Sequence, residues 1–255
     1  MPLTPAREVT AAAAGGKHRP STASTEITAV AVTTIWAWRH PRPQNVEGIC
    51  IGRTDAAVDP RRARRLAQRI VGTARQNNLP REIWTSPLHR CADVGRWLRR
   101  WGWVHHIDGQ LAEMDFGAWE GQPWSALPRA EIDAWAGNFA HYAAGGGESV
   151  QQLVARAGGW QTAGERARAT RDGARDGARE GGASRGDRRG GTVPLSTLIV
   201  AHSGWMRARR WFESASAAAS AAGSASQSAT SMETLPSAAR FPASPTYGEL
   251  WKICG

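Results

Sequence analysis

The chain is poor in cysteine and has no long apolar run. Its three cysteines, Cys50, Cys91 and Cys254, form no CxxC pair and are odd in number. Neither a disulfide framework nor a zinc ribbon is supported, and a reducing cytoplasm is the simplest setting. No stretch approaches the roughly 20 apolar residues that a helical membrane span needs, and the alanines at Ala11–Ala14 lack the apolar core behind a basic start that marks a signal peptide. We expect a soluble protein with no membrane partner. Acidic residues are also short: 22 Asp and Glu face 32 Lys and Arg, a net charge of +10. That balance suits an anionic partner, whether nucleic acid, an acidic lipid surface or a small phosphorylated substrate, and charge alone does not choose among them.

At 255 residues the chain can fill one large domain or two small ones. Residues 1–30 are rich in Ala, Thr, Ser and Pro without a period and read as a disordered leader. The block 161–191 contains "RDGARDGARE" and "SRGDRRGG", with almost no large apolar side chain to bury. Eight arginines against five acidic residues lie in Gln161–Gly190, so part of the basic balance belongs to a loop and not to a folded surface. The stretch 214–231 is an Ala/Ser linker in which serines and a glycine weaken a possible helix. We expect a single domain over 31–255 that carries these two stretches as insertions.

Between the blocks, strand and helix signals alternate. Thr33–Trp38 is a short β-branched and aromatic run, as in an interior strand of a parallel sheet. Asp59-Pro60 opens a helix that puts Ala63, Leu66, Ala67, Ile70, Val71 and Ala74 on one face and Arg61, Arg62, Arg65 and Arg69 on a solvated one. Ile83–Thr85 is a second strand, followed by a helix start at Ser86-Pro87 that puts Arg90 in the first turn. A helical stretch, "PRAEIDAWAGNFAHYA", carries an Ile132, Trp135 and Phe139 stripe. Ser149 and Gln152 have capping-box spacing before another helix, and Thr197–Ala201 is a strand ending in His202. This rhythm predicts an α/β fold with a mainly parallel sheet.

The polar groups at the strand ends carry the chemistry. Arg39-His40 and His202 follow strands at the edge where open α/β sheets gather ligands, and Arg90 lies at a helix start that attracts anions. An isolated Arg-His pair in a surface loop is the plainer reading of the first motif. The alternative is that four polar groups converge on one phosphate. The tandem His105-His106 gives little support to a metal site, because neighbouring strand residues face opposite ways.

The order of an RH pair, "SPLHR", "LAEMDFGAWEG", "GGES" and a late "AHSG" resembles the histidine phosphatase superfamily, also called phosphoglycerate mutase-like. The resemblance covers about Thr33–Trp160 and Thr192–Lys252. "GICIGRTDAAVDP" and "SPTYGELWKI" look like the branch containing α-ribazole phosphatases and cofactor-dependent mutases. It implies a three-layer α/β/α sandwich and a phosphomonoesterase acting through phosphohistidine on a small phosphorylated metabolite, with α-ribazole 5'-phosphate of cobalamin biosynthesis as the named guess. His40 matches the nucleophile. Arg39 and Arg90 match phosphate-binding arginines, and His202 the second histidine that stabilises the transferring phosphoryl. Glu113 matches the proton donor to the leaving alkoxide, with Asp115 and Glu120 as nearby competitors. Gly52 matches a glycine that lets backbone approach the phosphate, a turn glycine being an equal reading. Arg207 reads as a surface helix position, and Trp119 and Trp124 as core or substrate mouth. No cofactor or metal is implied, and the oligomeric state is open, a homodimer being one option.

Three departures stand out. Pro41 replaces the family's glycine and lacks an N–H; Arg42 and an early Asn45 break the loop pattern and weigh against a mutase; Ser203 stands where glycine is common. A catalytically silent phospholigand- or protein-binding relative, and a basic RNA-binding protein, are the competing readings.

Overall fold

The computed structural model describes residues 34–161, 196–221 and 241–254. The 1–30 leader and the arginine-rich block from residue 162 lie outside them. Five strands, β1 (Thr34–Arg39), β2 (Glu82–Thr85), β3 (Val104–Ile107), β4 (Ser196–Ala201) and β5 (Leu250–Cys254), form one sheet in the order β3-β2-β4-β1-β5. The first four run parallel and β5 returns antiparallel beside β1. The sequence patterns of β3 and β5 were too short and too polar or too mixed to announce them as strands. β1 ends one residue later than its apolar run implies, because Arg39 still pairs with Ala201.

Alternation along β1 and β4 sets the layers. Ile35, Ala37, Ile199 and Ala201 enter one buried cluster, whereas Trp36, Trp38, Leu198 and Val200 enter the other, since successive strand side chains leave on opposite faces. Helices α1 (Pro60–Gln76) and α2 (His89–Arg100) cover the tryptophan face through Leu66, Ile70, Val94 and Leu98. On the other face lie α4 (Val150–Gly159) and α5 (Ser203–Ala221), contributing Leu153, Val154, Trp205 and Met206. This is a three-layer α/β/α arrangement with a sheet buried on both sides, as its near-continuous apolar strands require.

Local signals explain the helix ends. Asp59 accepts from Arg61 N–H at 2.8 Å with Pro60 at the first helical position. The Ser86-Pro87 start needs correction: α2 begins at His89, and its first N–H is met by Asp55 Oδ1 at 2.7 Å. Proline holds Ser86 out of helical geometry and leaves its hydroxyl for another partner. The long helix expected around Ile132 shortens to α3 (Arg129–Gly137), because Gly137-Asn138 stops it before Phe139. The Ala/Ser stretch begins inside a helix, α5 continuing to Ala221; its remainder lies outside the described residues. No helix among the described residues is long and apolar enough to cross a membrane.

The Ser149–Gln152 capping box is present in both directions. Ser149→Ala should therefore lower the unfolding free energy by about 1 kcal/mol, measured by urea denaturation. An unchanged midpoint would mean the cap is replaced by water at no cost.

Candidate active site

Because β2, β4 and β1 are neighbours and parallel, their carboxyl ends bring Ser86, His202 and His40 to one edge. The ring centroids of His40 and His202 are 5.0 Å apart. His40 is 3% exposed and its backbone N–H is bonded to Ala201 O at 3.0 Å. Its Nδ1 lies 2.7 Å from Pro41 O. A carbonyl only accepts, so Nδ1 holds the proton and Nε2 keeps its lone pair. What His40 takes from residue 41 is the main-chain oxygen, which proline supplies as well as glycine does.

His202 is fully buried. Its Nδ1 accepts from Arg90 Nε at 3.1 Å, so the proton sits on Nε2 and is donated to Ser86 Oγ at 2.7 Å. Burial first, and then the positive charge of Arg90, hold both imidazoles well below the ordinary histidine pKa. Both are neutral at pH 7.

Arg90, 1% exposed, spans the site: besides His202 it donates to Thr54 O at 2.6 Å and to Gly52 O. Arg39 lies with its guanidinium carbon 3.9 Å from the Tyr247 ring centroid and donates Nη1 to Pro245 O at 2.6 Å. Its buried Nε has no hydrogen-bond partner among the described residues, which leaves a donor for an anion. Tyr247 also packs on His40, ring centroids 5.6 Å apart. The sequence reading gives Ser86 only as a helix start and does not name Tyr247; they lie in the quoted motifs "SPLHR" and "SPTYGELWKI", but nothing in residue type assigns them their contacts.

The acidic candidates separate cleanly. Glu113 is buried, with Oε1 accepting from Met114 N–H at 2.9 Å and Oε2 from Gly204 N–H at 3.0 Å at the start of α5. A Cβ at Gly204 would come 2.1 Å from Glu113 Oε1, so a side chain there would displace the carboxyl group. Glu120 instead gathers the N–H groups of Gly52, Arg53, Thr54 and Phe116 and the Thr54 hydroxyl. Burial pushes its pKa up, but those hydrogen bonds outweigh it and hold the carboxyl below the usual range. It is a loop anchor. Asp115 accepts from Gly117 N–H in its own turn. Arg156 of α4 ties Glu148 to the carbonyls of Ala112 and Glu113, fixing the loop that presents Glu113.

Gly52 has a reason to be glycine beyond the two expected: a Cβ would meet Met114 O at 1.9 Å, and its own N–H and carbonyl serve Glu120 and Arg90. Trp119 is core, bonded to Glu131 at 2.7 Å, whereas Trp124 is 38% exposed on a cavity rim. Arg207 is not on the open surface; it is half-buried on the cavity wall, 4.5 Å over Phe241. The two tandem histidines part, His105 bonding Thr85 Oγ1 at 2.8 Å and His106 stacking on Trp84 with ring centroids 4.2 Å apart.

The model of the histidine phosphatase superfamily (branch 1) matches residues 35–219, the span that holds His40, Arg90, Glu113 and His202. The chain belongs to this superfamily. Among solved structures, a mycobacterial glucosyl-3-phosphoglycerate phosphatase aligns at 26% identity over 70% of this chain and 77% of its own, TM-score 0.46. The alpha-ribazole phosphatase from Shigella flexneri aligns at 23% identity over 69% and 76%, TM-score 0.48. At these scores the overlays add no argument to the family match. No curated protein sequence matches the chain.

The buried imidazoles of this superfamily member couple its stability to pH. Below about pH 6.5 the unfolded histidines bind protons that the folded ones refuse, so stability is complete above that pH and falls as pH drops. Each buried imidazole adds up to about 1.4 kcal/mol per pH unit to that slope. His202→Gln should remove one such share from urea-unfolding free energies measured between pH 7 and 5; an unaltered slope would assign the titration elsewhere.

Proposed function

We propose that the chain is a phosphomonoesterase that works through a phosphohistidine at His40, on a small phosphorylated metabolite. The observation that carries this is the fixed tautomer of a buried, neutral His40, 5.0 Å from a second neutral imidazole and close to Arg90. In the first step His40 Nε2 attacks phosphorus and the ester P–O bond breaks. Its electron pair goes to the leaving oxygen, which takes a proton from Glu113. In the second, water attacks phosphorus, Glu113 carboxylate takes the proton, and the N–P electron pair returns to Nε2. Ester and water give alcohol and phosphate.

Arg39 and Arg90 hold the non-bridging oxygens as guanidinium forks. His202 stays neutral and would donate the Nε2–H it now gives to Ser86 Oγ to the phosphoryl group, stabilising its charge. Gly52 keeps the Arg90-bearing edge and the Met114 loop in contact. The resemblance of "GICIGRTDAAVDP" and "SPTYGELWKI" to the α-ribazole phosphatase branch makes α-ribazole 5'-phosphate the finer reading of the substrate. The phosphatase reading is preferred over a mutase because Arg42 stands in the loop position of the family's acidic residue and pairs with Glu47.

A second reading, phospholigand binding without turnover, is favoured by one observation: both ring nitrogens of His202 already have protein partners. Hydrolysis of p-nitrophenyl phosphate that persists in EDTA should fall at least about a thousandfold in His40→Ala. Acid-labile, base-stable phosphate should be trapped on His40 during turnover. Turnover without that label overturns the mechanism, and tight binding of substrate phosphonates without turnover supports the second reading.

A further inference from the structure

A cavity of about 530 Å³ opens beside the candidate acid, within the ~300–1,000 Å³ range of small-molecule sites. Glu113 forms part of its wall, as do Ser203 and Gly204, the two residues after His202. An alcohol released at Glu113 therefore has this cavity as its immediate surroundings.

The lining is apolar apart from Glu113, Ser203 and Arg207. Five aromatic residues dominate it: Phe116, Trp124, Trp135, Phe139 and Phe241. The indoles of Trp124 and Trp135 are nearly parallel, centroids 6.3 Å apart at 16°, and Phe116 sets its edge against both. Such walls gain from flat apolar area. A polyhydroxylated leaving group would bury most of its hydroxyls against carbon with no partner, at a cost for each.

Arg207 adds a half-buried cation whose Nε is taken by Pro242 O.

We infer that the leaving alcohol carries an apolar, ring-bearing body and is not a free sugar or an open-chain polyol; this rests on the phosphatase reading above. The aromatic cavity binds the ring while the phosphate lies at His40, so specificity comes from the part of the substrate that departs. Trp124 at the rim and Trp135 deeper in the wall are the specificity-determining residues.

The test compares esters of primary alcohols, whose leaving oxygens are similarly basic: 2-naphthylmethyl phosphate, glycerol 3-phosphate and glucose 6-phosphate. The full chain should show kcat/KM at least about tenfold higher for the naphthylmethyl ester. That ratio should fall several-fold in Trp135→Ala and also in Trp124→Ala, the second variant truncating a partly exposed rim side chain. Turnover of all three esters with no preference for the ring, or a ratio unchanged in both variants, overturns the inference and leaves the phosphatase reading standing. Calorimetric binding of naphthylmethylphosphonate and of a glycerol phosphonate separates the two claims. Preferential binding of the former without turnover of any ester supports the ring-binding cavity and overturns the phosphatase reading. Equal binding of both phosphonates overturns the cavity assignment.

Discussion

The buried guanidinium of Arg90 is the constraint on which the site depends. It is almost wholly withdrawn from water, yet no carboxylate lies among its hydrogen-bond partners in the described residues; a buried cation of this kind is tolerable only when its donors are met. Its partners are two carbonyls of the 52–54 segment and the ring of His202. One side chain therefore fixes a loop, selects a histidine tautomer and supplies positive charge. Glu120 completes the scheme from the other side, collecting the N–H groups of the same segment. With carbonyls turned to a cation and N–H groups to an anion, the 52–54 backbone has little freedom.

The fold creates this meeting place through strand order. Placing β4 between β2 and β1 brings residues 86 and 202, and residues 40 and 202, to adjacent strand ends although they are far apart in the chain. The two faces then divide the work. The face that carries Trp36 and Trp38, under α1 and α2, packs as core, while the core on the face under α4 and α5 also borders Glu113 and the aromatic cavity.

Much of the architecture was legible because it follows from local periodicity. The α1 face, the Asp59-Pro60 start and the Ser149–Gln152 box are decided by neighbours in sequence, and each formed as read. His40 and His202 could be placed at strand ends for the same reason, and the motif order supplied Arg90 and Glu113. What escaped reading depends on distant partners. Ser86 resembles a helix cap until β4 brings His202 to it. Glu120 resembles a spare acid until four backbone N–H groups surround it. Gly52 reads as a turn until Met114 O occupies the space of its missing side chain. Arg207 follows the solvated-helix pattern and is covered only because Phe241 and Pro242 come back over α5.

The Pro41 carbonyl shows how a contact can be kept while its letters change. The atom that orients the His40 ring belongs to the main chain, and every amino acid carries one. A search pattern that demands glycine after the histidine would discard this protein while retaining chains that have the right letter and the wrong carbonyl direction. Membership of such a family is therefore better judged by where the peptide oxygen points than by the residue that bears it.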